Sequence, residues 1–94
     1  MLKHNQYFDG AVQSIGFERH GRRATVGVIA SGQTLHFGTA APERMSVISG
    51  SLRVRPDGGE WQVYPQGSAF EIAGNSGFDV EAQQGPAAYL CEFL

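Results

Sequence analysis

Short runs in which apolar and polar residues alternate cover most of this chain. Leu52 and Val54 alternate with Arg53 and Arg55, and Phe78, Val80 and Ala82 alternate with Asp79, Glu81 and Gln83. Ala24, Val26, Val28 and Ala30 alternate with Thr25, Gly27 and Ile29, and Trp61 and Val63 with Gln62 and Tyr64; Phe70 and Ile72 follow shortly after. A period of two sends successive side chains to opposite faces of a strand, so each run predicts a strand packed on one face and wet on the other. Thirteen glycines punctuate these runs, and Asp57-Gly58-Gly59 reads as a hairpin turn because its residues tolerate positive φ. The last run, Ala88 to Leu94, continues to the final residue. The pattern predicts an all-β chain of about nine short strands with essentially no helix, folded as a sandwich or barrel.

Ninety-four residues make one small domain, spanning 1–94, close to the size at which a single core needs help from association. The net charge of −2 supplies no basic stripe for a nucleic-acid polymer, and the Arg19–Arg23 cluster reads as a solvated turn. Cys91 is the single cysteine, which excludes an internal disulfide and a cysteine-based zinc site. Met1 to Gln6 carries no apolar signal region, and no apolar run approaches the ~20 residues that span a bilayer. The expectation is a soluble intracellular protein.

Chemistry is concentrated around one stretch. Glu43, six intervening residues and then Gly50 match the second half of the first cupin motif, in which an HxH step precedes the glutamate and all three side chains hold a metal. His36 stands at the place of the first histidine, and Gly38 at that of the second. The second motif survives in spacing from Gly67 through Ala73-Gly74-Asn75, but Phe78 stands where its histidine belongs. Two protein ligands are too few for the usual zinc or non-haem iron site, so a pocket without metal is expected. The implied fold is a single cupin-type β-barrel of the jelly-roll kind.

Beyond cupin spacing, several segments resemble one family across essentially the whole chain. They are Asn5-x-Tyr7-Phe8-x-Gly10-x-Val12-x-Ser14-Ile15-Gly16-Phe17, Arg23-Ala24-x-Val26-Gly27-Val28, Phe37-x-Thr39-Ala40-x-Pro42-Glu43, Trp61-Gln62-Val63-Tyr64 and Tyr89-Leu90-Cys91. The chain is similar to the small cupins known as pyrimidine/purine nucleoside phosphorylases. That resemblance implies a cytoplasmic homodimer, a pentosyltransferase that cleaves many nucleosides with phosphate to free base and ribose 1-phosphate. Phosphate is then a co-substrate, with no further cofactor. Ala73 stands where that family usually shows proline, and His36 is not one of its hallmarks; neither departure alters the spacing.

Phosphorolysis passes through an oxocarbenium-like sugar, which needs acceptors for ribose hydroxyls and donors or cations for phosphate. Glu43 is the candidate catalytic residue, accepting from the ribose 2′- and 3′-hydroxyls and offsetting positive charge at C1′. Arg23, Thr39, Asn75 and Ser76 are candidate phosphate contacts. Phe37, Phe78 and Tyr89 are candidate stacking faces, and stacking accepts any base. Two other readings stay open: a non-catalytic cupin that binds a sugar or nucleotide, and a metal-dependent cupin isomerase or oxygenase using His36 and Glu43. Bland readings also remain, since Phe37, Phe78 and Tyr89 suit a core and Asn75-Ser76 suits an ordinary turn.

Overall fold

The computed structural model describes residues 2–94. Ten strands follow in order: β1 (Lys3–Tyr7), β2 (Val12–Arg19), β3 (Arg22–Ile29), β4 (Leu35–Thr39), β5 (Glu43–Ser49), β6 (Ser51–Pro56), β7 (Gln62–Pro65), β8 (Ala69–Ile72), β9 (Ser76–Ala82) and β10 (Ala87–Phe93). The only helical piece among the described residues is a 3₁₀ turn, Phe8–Gly10, between β1 and β2. The chain is all-β, with ten strands where about nine were expected.

The strands form two sheets, β1-β2-β3-β10-β5-β8 and β4-β9-β6-β7, and among the described residues these strands pair antiparallel throughout. From β3 onward the chain crosses repeatedly between the sheets, leaving orders 3-10-5-8 and 4-9-6-7. That is the double-sheet jelly roll, with β1 and β2 added at one edge. The all-β jelly-roll expectation holds, with the barrel open: the two sheets face each other without closing into one cylinder.

Alternation places the core where charge marks the outer face. Leu52, Val54, Phe78, Val80 and Ala82 are buried between the sheets, while Arg53, Arg55, Asp79 and Glu81 pair on the outside of β6 and β9. Two strands are turned the other way from their apolar pattern. In β3 Ile29 is buried at 1%, whereas Val26 and Val28 are 41% and 49% exposed on the outer face. In β7 Tyr64 packs inward on Phe70, ring centroids 4.5 Å apart, and Val63 faces water. Trp61 lies outside beneath Arg53, whose guanidinium carbon is 4.1 Å from the ring centre. Both faces of these strands carry apolar residues, so alternation alone does not say which is packed.

Candidate active site

The inner face of the first sheet forms a floor of side chains in rows across its strands. Register sets Ser14 opposite Gly27 and Gly27 opposite Tyr89. One row along, Thr25 lies opposite Cys91, and Cys91 opposite Met45. In the next row Phe93 lies opposite Glu43. Arg23 flanks Phe93 on the other side, its guanidinium carbon 4.8 Å from the ring centre. Neighbouring strands are about 4.8 Å apart, so the Phe93 strand separates the Arg23 and Glu43 strands by about 10 Å. Among the described residues no salt bridge joins these two.

The second sheet supplies the opposite wall. Phe37 of β4 and Phe78 of β9 are cross-strand partners, stacked with centroids 5.6 Å apart. Tyr7 meets Phe37 edge-on at 6.3 Å. Between floor and wall lies a pocket of about 350 Å³, lined by Arg23, Glu43, Tyr89, Phe37 and Phe78 among others. An apolar cleft with a few polar groups is what a small-molecule site requires.

Glu43 begins β5 and is half-buried. Burial pushes its carboxyl above the ordinary carboxylate range, and the Cys91 thiol, donating to Oε1 at 3.4 Å, pulls it partly back. Burial and the adjacent carboxylate drive the Cys91 thiol well upward, so it stays protonated and acts as the donor. Tyr89 is pushed up to about 12, mainly by burial, with Cys91 adding to the rise and the Ser14 hydroxyl opposing it.

Arg23, Phe37, Glu43, Phe78 and Tyr89 thus come together around one pocket. Thr39, Asn75 and Ser76 are not among its lining residues; the Thr39 hydroxyl and the backbone N–H groups of Asn75 and Ser76 are engaged elsewhere. The Thr39 hydroxyl donates to the Ala73 carbonyl at 2.7 Å and accepts from the Ser76 N–H at 3.1 Å. The Asn75 N–H donates to the Ala40 carbonyl at 3.0 Å. A Cβ at Gly74 would lie 2.8 Å from that same carbonyl, so a glycine is what lets the two loops meet. These residues staple the β8–β9 turn to the β4–β5 loop that leads into Glu43. Tyr7, Ser14, Thr25, Cys91 and Phe93 line the pocket although motif spacing does not single them out; register across β1, β2, β3 and β10 would have found them.

His36 points away from the pocket. Its Nδ1 lies 2.9 Å from Asp79 Oδ1 on the outer face of β4 and β9, and the inward positions of β4 are Leu35, Phe37 and Thr39. The motif alignment that gave His36 the first ligand place is therefore out of register by one residue, which flips the face. Among the described residues no three His, Cys, Asp or Glu side chains assemble as a metal could require. With Phe37, Thr39 and Phe78 facing inward where cupin histidines would hang, the residues do not fit a resident metal.

Fold and pocket together define a small jelly-roll protein with a polar floor and an aromatic wall around a small-molecule site. The profile of the pyrimidine/purine nucleoside phosphorylase family matches residues 2–93, and the chain belongs to that family. It is 66% identical over 95 residues to the pyrimidine/purine nucleoside phosphorylase of Sorangium cellulosum, covering 100% of both chains. To that of Aeromonas salmonicida it is 56% identical, over 100% of this chain and 99% of the other. A crystal structure of a protein of unknown function from Vibrio parahaemolyticus superimposes with a TM-score of 0.94 at 44% identity, over 100% and 99% of the two chains. Hydroxypropylphosphonic acid epoxidase from S. wedmorenis shares the fold alone, with a TM-score of 0.83 at 12% identity over 99% of this chain and 55% of that one.

Proposed function

We propose that this protein is a metal-independent nucleoside phosphorylase of broad base specificity, a pentosyltransferase acting in cytoplasmic nucleoside salvage. The observation that carries this is the separation of Arg23 from Glu43 across Phe93, beneath a stacked aromatic wall. A cation for phosphate and a carboxylate for ribose stand apart at about the span of a nucleotide-sized ligand. Phe37, partly exposed and backed by the buried Phe78 stacked against it, offers a π-face that any base can use.

In the reaction a phosphate oxygen forms a bond to C1′ as the C1′–N bond breaks. The electron pair of that bond leaves with the base, and the proton carried by hydrogen phosphate ends on the base. The products are free base and ribose 1-phosphate. Glu43 accepts hydrogen bonds from the ribose hydroxyls and faces the positive charge that develops on the sugar, an interaction stronger in the transition state than before it. Cys91 holds Oε1 and so fixes the carboxylate's direction. Arg23 neutralises phosphate charge and is oriented by Phe93.

Incubation with uridine or adenosine and phosphate, with and without EDTA, tests this. Base release that requires phosphate and is unchanged by EDTA is expected. No release from a panel of purine and pyrimidine nucleosides sinks the proposal, and saturable binding without turnover would instead mark a non-catalytic nucleoside-binding protein. Loss of activity in EDTA removes metal independence.

A further inference from the structure

We propose that Ser14, Thr25 and Tyr89 form, together with Arg23, the seat of the phosphate co-substrate, and that Gly27 is a positioning residue that keeps the Tyr89 hydroxyl in that seat. The proposal rests on the phosphorolysis function above.

Its first support is the shape of the floor. Gly27 lies between Ser14 and Tyr89 in one cross-strand row. With no side chain at 27, the Tyr89 ring crosses the glycine. A Cβ there would stand 2.7 Å from Tyr89 Oη and 2.8 Å from Cζ, closer than real Cβ contacts allow. The phenol therefore leans from β10 over β3 and ends above Gly27, where Ser14 and Thr25 line the same pocket. Tyr89 and Ser14 are buried and line the pocket beside Thr25. Tyr89 thus offers its hydroxyl, rather than the ring face expected from sequence.

Chemistry decides the ligand. The three hydroxyls are rotatable donors, and the phenol stays protonated through the physiological range because burial pushes it up to about 12. Arg23 and Thr25 lie two residues apart on the same face of β3, about 7 Å along the strand. Several rotatable O–H donors beside a guanidinium suit a tetrahedral oxyanion whose oxygens point in different directions. Glu43, acceptor-only when ionised, lies two strands from β3, leaving the β3 side for the anion and the β5 side for ribose.

Steady-state kinetics with uridine and inorganic phosphate varied separately, joined to a ³¹P NMR titration of inorganic phosphate alone, tests the seat. For Tyr89→Phe and Thr25→Val we expect the phosphate KM to rise about tenfold, the loss of one hydrogen bond to a charged group, with the uridine KM within about twofold. Gly27→Ala should move the phosphate KM in the same direction while deleting no functional group. If it does not fold, the two isosteric variants carry the test, with melting curves as the control. A rise in uridine KM with phosphate KM unchanged reassigns the hydroxyls to ribose and overturns the proposal, as do wild-type constants in both variants. If the wild-type protein releases no base, the phosphorolysis reading fails. The titration still judges the seat: saturable phosphate broadening weakened in both variants supports it, and its absence in the wild type sinks it.

Discussion

At the scale of single residues, Glu43 carries opposing demands. Its half-buried carboxylate is useful to a developing cation because water is partly excluded, yet that exclusion disfavours the charge. Burial raises its pKa and the Cys91 thiol lowers it, burial being the larger. The folded protein therefore holds this proton more tightly than the unfolded chain. Stability from this group is complete below the ordinary carboxylate value and is lost as pH rises through the raised one. Glu43→Gln is expected to raise the melting temperature at pH 7 and to lose that advantage near pH 4, while kcat/KM for phosphorolysis falls about 10²–10³-fold. Differential scanning calorimetry across that range, beside the activity assay, checks both; unchanged rates would remove Glu43 from the mechanism. Cys91→Val deletes the thiol donor to Oε1, so the acid limb of the kcat/KM profile should move to higher pH.

The strands and turns divide differently between what pattern reveals and what it hides. Thr39 shows the difference between a site residue and a frame residue. Buried at the end of β4, it donates to Ala73 and accepts from Ser76. Thr39→Val preserves shape but strands both partners, and a loss of about 1–3 kcal/mol is expected by urea denaturation. The phosphate KM should stay at the wild-type value; a tenfold rise would return Thr39 to the site. Gly50, in the turn between β5 and β6, has φ 81, and a Cβ there would meet the Pro86 carbonyl at 2.9 Å. Gly50→Ala is expected to cost more than about 1 kcal/mol, read from the same denaturation curves. The inward faces of β6 and β9 were legible because arginine and acid occupy their other sides. Those of β3 and β7 were not, since valine occurs on the face that proves to be outside. Motif spacing found Glu43 and Phe78, then misassigned His36 by one position. Ser14 and Thr25 share the β2–β3 hairpin, but Tyr89 joins them only through pairing of β3 with β10, a strand far away in sequence, and local patterns carry no such information.

For the whole molecule the exposed side of the first sheet is the telling feature. Ile15, Val26, Val28 and Ile48 are each more than a third exposed on it, with Ala88 among them. The Arg19–Glu92 and Arg44–Glu71 pairs, of opposite sign within each pair, stand on the outward positions of the same sheet or its edge. An apolar centre carried on a sheet with balanced charge is self-complementary, as a two-fold interface must be, and a 94-residue sandwich gains from covering it. We therefore expect a homodimer closed through this face, at twice the 10.1 kDa chain mass in sedimentation velocity. Val28→Asp places one charge from each subunit into the covered centre, where an unpaired carboxylate is costly, and should give monomers. Retention of the dimer would move the interface elsewhere, and a monomeric wild-type protein would end the dimer proposal. Because β3, which bears Val26 and Val28, carries Arg23 and Thr25 on its inner side, such a dimer contact would back the floor of the pocket. A Val28→Asp monomer that stays folded should then lose phosphate affinity before it loses nucleoside affinity, a ranking that separate KM measurements on the sedimented species would reveal.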